Sequence, residues 1–175
     1  FDAPLGAPAN PGMSTNPAKA PWYFLGFQEL QLHFHPLIAV VVIPALAAFA
    51  LLAIPYFRYT APLSGPWFLS DTGRRTSFIA ATTAAVLTPA LIVIDEVLLQ
   101  PGGGLPSLVW RGIVPMVLAG AGVVGFRAIL ARRFGAEKSE VVQALFVFFF
   151  VVLAVLTIIG VWFRGLGMAL AWPWS

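Results

Sequence analysis

Residues 37–54 form an apolar run without a single charge, and this run constrains the fold more than any other feature. With its flanks it reaches the roughly 20 residues that a helix needs to cross a bilayer core. In hydrocarbon, a helix satisfies its backbone hydrogen bonds within one segment. Three comparable runs follow. The sequence therefore predicts an all-α integral membrane protein with four transmembrane helices, at about residues 37–55, 77–99, 108–130 and 141–163.

The composition agrees with a membrane protein. The 175 residues are 59% hydrophobic and 10% charged, whereas soluble domains carry about 25% charged residues. The net charge of +3 comes from cations beside the apolar runs, where loop topology explains them, so it does not indicate nucleic-acid binding. Because cysteine is absent, the chain holds no disulfide, no covalently attached c-type haem and no cysteine-ligated iron–sulfur cluster.

The chain divides into three parts. Residues 1–20 are rich in proline, which predicts an extended lead. Residues 21–36 predict a short interfacial helix, and residues 37–175 form the four-span membrane domain. The first 15 residues lack a basic stretch followed by an apolar one, so they do not resemble a signal peptide.

The interfacial segment crowds aromatic and titratable side chains beside the first span. Pro21 suits a first helical position, and tryptophan and tyrosine favour the headgroup level of a membrane. Trp22 and Glu29 are seven residues apart, so a regular helix would place them on one face.

Proline and glycine are expected to modify the spans. Pro44 and Pro89 predict kinks. Small residues allow the backbones of two membrane helices to approach closely. We therefore expect a neighbouring helix to pack on the glycines of the third run, which are Gly112, Gly120, Gly122 and Gly125.

The loops predict an orientation. Residues 56–76 contain three arginines, and residues 127–140 contain three arginines and a lysine. Residues 100–111, the lead and the tail each contain only one cation. The positive-inside rule therefore places the two basic loops in the cytoplasm and both termini on the outer side.

Three titratable residues of the interfacial segment are candidates for chemistry. His33 and His35 are the only histidines and lie two residues apart at the membrane edge. Haem between helices usually needs histidines on different spans, so we expect an interfacial role or a hydrogen bond to a partner. A proton relay through His33 stays open. Glu29 has two open interpretations: it faces headgroups or a partner's arginine, or it transfers protons.

Two further charged pairs are expected to be less specific. Asp95 and Glu96 end the second run, where we expect solvated side chains, with a proton exit as the lesser alternative. Arg74 and Arg75 are expected to serve topology and to contact lipid phosphates.

The sequence from Ala20 to Phe24, APWYF, resembles the C-terminal half of the cytochrome b family. That family carries Pro-Glu-Trp-Tyr-Phe just before a membrane span, at its outer quinol-oxidising site. The resemblance covers roughly residues 16–99, and the tail at 159–174 is similar to that of detached C-terminal subunits of bacterial menaquinol–cytochrome c reductases. Further matching stretches are Phe27-Gln28, Ala53-Ile54-Pro55-Tyr56 and Arg74-Arg75-Thr76.

The resemblance implies a subunit of a quinol-oxidising respiratory or photosynthetic complex in the bacterial inner membrane, with its termini on the periplasmic side. Such a subunit would not be an enzyme alone. The implied substrate is quinol, here menaquinol, at a site lined by Pro21, Trp22, Tyr23 and Phe24. The implied partners are a haem-binding cytochrome b N-terminal subunit, which would carry haem b, and a Rieske-type iron–sulfur protein or c-type cytochrome, within a dimeric complex.

The chain departs from the family in two ways. Pro21 stands where the family has the glutamate thought to accept a proton from quinol, so we predict Glu29 as the substitute proton acceptor. No residue of this chain is predicted to ligate haem or a metal. In this chain two further spans follow the second span, whereas the family has one or none at this place. The rival hypothesis is a structural membrane anchor without direct quinone contact; a small transporter is weaker, because no span interior carries a charge.

Overall fold

The computed structural model describes residues 19–59, 67–98, 106–165 and 168–173. Nearly all of the predicted extended lead lies outside the described residues, as do residues 99–105 between the second and third spans.

The described chain consists of one short helix followed by four long ones. A 3₁₀ turn at Trp22–Phe24 leads into α1. Two of the long helices begin with a wider π-helical segment. The helices are α1 (Leu25–His33), α2 (Ile43–Ala53, after the π segment Ile38–Val42 and before the 3₁₀ turn Ile54–Tyr56), α3 (Asp71–Leu98), α4 (Val114–Phe134, after the π segment Val109–Ile113) and α5 (Lys138–Trp162).

Four helical segments are long and apolar enough to cross a membrane, which indicates a multi-pass membrane protein. They are Ile38–Tyr56, Asp71–Val97, Val109–Phe134 and Lys138–Trp162. The predicted all-α fold class, with four spans after a short helix, is therefore confirmed.

Two of the long helices extend several residues beyond the spans predicted from the sequence. The second long helix begins at Asp71, not at residue 77, so Arg74 and Arg75 lie on the helix and not in a loop. Ser70 explains the earlier start, because its hydroxyl accepts the Gly73 N–H at 2.9 Å, and Asp71 adds an acid to the first turn. The third long helix, α4, continues to Phe134, and Gly135 caps its end in the left-handed conformation, with a φ of 66°.

Both π segments lie just before a proline. Pro44 follows Ile38–Val42, and Pro115 follows Val109–Ile113. Proline has no N–H, and its ring clashes with the carbonyl four residues earlier, which in both cases belongs to the π segment. The wider turn thus accommodates the proline at the start of each span.

α3 and α5 form the central pair, and their contact buries two apolar clusters. The cluster near the loop at residues 135–137 contains Ala80, Leu130, Ala136, Val141 and Ala144. The cluster near the other end contains Ile92, Leu156 and Ile159. The first and third spans contribute far less, since only 11% and 6% of their most apolar windows are buried within the chain.

Two glycines bring α1 against α5. A Cβ at Gly26 would lie 2.6 Å from the Thr157 hydroxyl and 3.3 Å from the Leu153 carbonyl. A Cβ at Gly160 would lie 3.0 Å from Leu25 Cβ and 3.2 Å from the Leu25 carbonyl oxygen. Glycine, whose side chain is a hydrogen atom, therefore fits at both positions, whereas the methyl group of alanine does not.

The glycines predicted to carry helix packing mostly do not carry it within this chain. A Cβ at Gly120, Gly122 or Gly125 would meet no described atom within 4 Å. Gly112 alone of the four is in close contact, with Ile38 at 3.2 Å. Among the described residues, the close glycine contacts between helices lie mainly between α1 and α5, whereas α4 meets the central pair near its last turns, where Leu130 is fully buried.

Gly160→Ala should destabilise the protein by about 1–3 kcal/mol, since the added methyl group meets backbone as well as side-chain atoms of Leu25. Thermal unfolding in detergent would measure the loss. Gly120→Ala is the matched control and should be neutral or slightly stabilising, because the position is open and alanine favours helix. Equal unfolding temperatures for the two variants would contradict the proposed α1–α5 contact.

Candidate functional site

Five charged or titratable side chains meet at one end of the helices, and we call them the ion-pair cluster. α1 supplies two of them, the last turns of α3 supply two, and the segment after α5 supplies one. They are Glu29, His33, Asp95, Glu96 and Arg164.

The centre of the cluster is a buried ion pair between Glu29 and Arg164. The Arg164 Nε donates to both carboxylate oxygens, at 3.0 and 2.9 Å, and Nη2 donates to Oε1. The Glu29 side chain is 0% exposed and that of Arg164 is 1% exposed. Charge-assisted, forked hydrogen bonds of this kind offset the cost of removing two charges from water.

The tail after α5 folds back to hold Arg164 in place. The Gly165 N–H donates to the Ala169 carbonyl, and the Ala171 N–H donates to the Phe163 carbonyl, both at 2.9 Å. Arg164 Nη1 donates to the Met168 carbonyl at 3.0 Å and also pairs with the Glu96 carboxylate. The guanidinium therefore joins α1, α3 and the tail.

His33 lies between two carboxylates. Its Nδ1 is 2.6 Å from Asp95 Oδ2, and its Nε2 is 3.4 Å from Glu29 Oε1, one helical turn away on α1. The Asp95 side chain is 24% exposed, whereas that of Glu29 is fully buried. A hydrogen-bonded path thus leads from the buried pair through the imidazole to the surface.

Three members of the cluster, Glu29, His33 and Arg164, have pKa values shifted toward their charged forms. Burial alone would raise the pKa of Glu29, but hydrogen bonds and charge from His33 and Arg164 lower it below its usual value. Burial opposes protonation of His33, yet Glu29 and Asp95 raise its pKa. Burial would likewise lower the pKa of Arg164, but Glu29 and Glu96 raise it.

Ligand atoms of Glu29, His33 and Glu96 lie within 4.8 Å of one another, a spacing that could hold a metal ion. The guanidinium of Arg164, however, already binds both carboxylates, and its Nη2 is 3.4 Å from His33 Nε2. The arginine thus takes the place and the charge of a bound cation, and the geometry supports an ion pair and not a metal centre.

An exposed aromatic surface precedes the cluster, and we call Trp22, Tyr23 and Phe24 the aromatic wall. Their exposed fractions are 70%, 61% and 55%. The rings contact one another in sequence, with centroids 5.8 and 5.3 Å apart. Pro21 precedes the turn, and its carbonyl accepts the Phe24 N–H at 2.8 Å. The wall is thus a preformed, outward-facing surface.

The predicted common face of Trp22 and Glu29 was wrong. Trp22 is mostly exposed and Glu29 is fully buried. The reason is local geometry: Trp22 lies in a 3₁₀ turn and Glu29 in an α-helix, so a seven-residue spacing no longer aligns them. The wall and the cluster nevertheless belong to one short segment.

The prediction that Asp95 and Glu96 are simply solvated was also wrong. Their side chains are 24% and 25% exposed; Asp95 pairs with the imidazole of His33, and Glu96 pairs with the buried guanidinium of Arg164. The structure gives His33 and Glu29 partners within the chain, Asp95 and Arg164 respectively.

Sequence reasoning missed Arg164 as a site residue. One signal could have found it: it is the only cation after the fourth apolar run, predicted on the same side as the single acid of the interfacial segment. His35 stays outside the cluster. The His35 Nδ1 accepts the Leu37 backbone N–H at 3.3 Å, and the backbone N–H of His35 donates to the Arg111 carbonyl at 2.7 Å.

Comparisons with protein-family models, curated proteins and solved structures find no match to this chain. Its function must therefore be inferred from its site geometry and its sequence motifs.

Arg164→Gln should destabilise the protein by about 3–5 kcal/mol, because it leaves the buried Glu29 carboxylate without its cation. Glu96→Gln should cost less, since Glu96 is partly exposed. Thermal unfolding in detergent would compare the two with Arg127→Gln, an exposed arginine on α4. The double variant Glu29→Gln/Arg164→Gln should recover part of the loss. A double variant as unstable as the sum of its single changes would contradict the pairing.

The cluster should also make stability depend on pH. The pKa of His33 is raised in the folded state. Its contribution to folding stability is therefore complete below pH 6.5, the ordinary pKa of histidine, and is lost as pH rises through the folded-state pKa. Because the pKa of Glu29 is lowered, its contribution is complete above 4.5 and is lost as pH falls through the lower folded-state pKa. Both contributions are therefore complete between pH 4.5 and 6.5.

Unfolding temperatures measured from pH 4.5 to 9 should fall on the alkaline side in the unmodified protein. His33→Gln should flatten this alkaline decline. His35→Gln is the matched control, because its imidazole contacts neither carboxylate of the cluster, and it should keep the decline. A decline that persists unchanged in His33→Gln would assign it to another group.

Proposed function

We propose that this chain is a cytochrome-b C-terminal-half subunit of a quinol-oxidising electron-transfer complex and forms part of its outer quinol-oxidation site. The observation that carries the proposal is the exposed aromatic wall at the start of α1, beside a buried ion-pair cluster on the same helix. The family motif resembled by the sequence coincides with this wall.

The wall suits a planar, lipid-soluble substrate. Sites for small ligands combine apolar and aromatic surface with a few placed polar groups. Trp22, Tyr23 and Phe24 offer aromatic faces, and indole and phenol groups add hydrogen-bonding capacity. The wall precedes the first candidate membrane span by about 14 residues, and tryptophan and tyrosine favour the membrane interface, where a lipid-soluble quinol is available. We take menaquinol as the proposed substrate.

Quinol oxidation releases protons with the electrons, so a base must be near the ring. Glu29 stays the proposed acceptor in place of the family's missing glutamate, but it acts together with His33. Since its pKa is lowered, Glu29 alone holds a proton poorly near neutral pH. An imidazole ordinarily titrates near neutral pH; burial opposes protonation of His33, but Glu29 and Asp95 raise its pKa, and it hydrogen-bonds to the partly exposed Asp95.

The redox groups are proposed to lie in partner subunits. Within the described residues, both histidines belong to one segment, and His33 is bound by two carboxylates, which does not fit a pair of haem ligands on different helices. A haem-binding cytochrome b N-terminal subunit would carry haem b. A Rieske-type iron–sulfur protein or a c-type cytochrome would take electrons on the outer face, in a dimeric complex of the bacterial inner membrane. The proposed orientation keeps both termini on the periplasmic side.

The test is quinol-dependent cytochrome c reduction by the purified complex. Trp22→Ala/Tyr23→Ala should raise the KM for quinol about tenfold, because each lost aromatic contact costs about 0.5–1.5 kcal/mol. Trp67→Ala is the matched control: Trp67 is 51% exposed but packs on Phe146, away from the wall. Unchanged haem b absorbance would verify assembly. A KM equal to that of the unmodified complex would contradict quinol binding at the wall.

The same assay tests proton transfer. Glu29→Gln should slow quinol oxidation and shift its pH dependence, and His33→Gln should shift the pH dependence as well, whereas His35→Gln should not. If both the Glu29→Gln and the His33→Gln complexes contain haem b and keep the pH profile of the unmodified complex, the proton-acceptor assignment is contradicted.

A structural membrane anchor is the second candidate. It is favoured by the outward-facing first and third spans, whose apolar windows are only 11% and 6% buried within the chain. Such faces would serve to bind neighbouring subunits. In that case the wall variant would lower the yield of assembled complex and leave the KM of the remaining complex unchanged.

A further inference from the structure

A partly open pocket lies at the opposite end of α3 from the ion-pair cluster. Its volume is about 350 Å³, and the described residues that line it are Asp71, Thr72, Arg75, Arg133 and Phe134. We propose that it binds the phosphodiester group of an anionic phospholipid. This proposal does not depend on quinol oxidation.

The position of the pocket matches the headgroup layer of a membrane. Its residues belong to the first turns of α3 and the end of α4, where the candidate spans Asp71–Val97 and Val109–Phe134 begin and end. Polar headgroups lie at this level, just outside the hydrocarbon core. In the proposed orientation it faces the cytoplasmic leaflet, where basic pockets between helices recognise anionic lipids.

The charges of the pocket favour an anion. Arg75 and Arg133 contribute two guanidinium groups, which match the geometry of phosphate oxygens and can bind them in a forked manner. Among the described residues of the lining, Asp71 is the one acid, and Arg74 lies 3.7 Å from its carboxylate and offsets its charge. Thr72 adds a hydroxyl donor.

The pocket is partly preorganised. The guanidinium carbon of Arg75 lies 5.4 Å from the centre of the Phe134 ring, a cation–π contact that restrains the arginine. The volume lies within the ordinary range for ligand pockets. Beyond it, α4 exposes apolar side chains such as Ile129 and Val124, which are 51% and 64% exposed and suit acyl chains. A lipid therefore fits this site better than a free phosphate ion.

The experiment is native mass spectrometry of the full chain in detergent with added phosphatidylglycerol or phosphatidylcholine. We expect phosphatidylglycerol to be retained at least tenfold more than phosphatidylcholine. Arg75→Gln/Arg133→Gln should abolish this preference. Arg132→Gln is the matched control, since Arg132 is a neighbouring exposed arginine outside the pocket lining, and it should keep the preference. An equal loss in the double variant and the control would overturn the proposal.

A second arm separates the two sources of phosphate. Millimolar inorganic phosphate, compared with chloride at equal ionic strength, should not displace the lipid. Displacement would overturn the lipid assignment in favour of free phosphate.

A third arm provides a substitute test in case the Arg75→Gln/Arg133→Gln variant does not fold. Arg75→Lys/Arg133→Lys keeps both charges but loses the forked geometry, and it should show a reduced preference for phosphatidylglycerol. An unchanged preference in this variant would overturn the role assigned to the two guanidinium groups.

Discussion

The buried ion pair between Glu29 and Arg164 is the interaction on which the arrangement of this end of the molecule depends. A carboxylate with no exposed surface is stable only with a partner that supplies both charge and hydrogen bonds. Arg164 supplies both, and it also binds Glu96 and the Met168 carbonyl. Removing the arginine would leave an uncompensated charge and would release three segments at once. The folded-back tail therefore has a definite physical role, which is to deliver one guanidinium to α1.

Close backbone packing also holds α1 in place, in addition to the ion pair. Lipid is as apolar as leucine, so membrane helices gain little from burying apolar side chains against one another and rely on close contact instead. Gly26 and Gly160 provide this contact between α1 and α5, next to the cluster. Arg111 adds a further tie, because its Nη1 donates to the Leu32 carbonyl at 3.1 Å near the end of α1. α1 is thus fixed to the fourth span and to the start of the third. A short helix held in this way can present the aromatic wall in one orientation.

The two ends of the molecule differ in a way that is useful for the functional interpretation. One end combines exposed aromatic rings with a buried, paired cluster of acids and cations. The opposite end carries exposed arginines, with Arg75 stacked on Phe134. The first kind of surface suits recognition of a planar apolar ligand together with proton transfer, and the second suits anionic headgroups. The quinol proposal relies on the first surface and on the resemblance of residues 20–24 to a family motif, while the lipid proposal relies on the second surface alone.

The sequence by itself determined the class of fold and the approximate spans, because uncharged runs of about 20 residues have few alternatives in a bilayer. It also singled out Glu29 and the aromatic residues before it. The tertiary structure alone decided that Glu29 pairs with Arg164, 135 residues away, and that Asp95 binds His33. Such pairings depend on the rotation and depth of each helix, which apolar periodicity does not specify when most faces of a span are apolar. The same reason explains why Gly120, Gly122 and Gly125 of α4 contact no described residue, while Gly26 and Gly160 form the contact between α1 and α5.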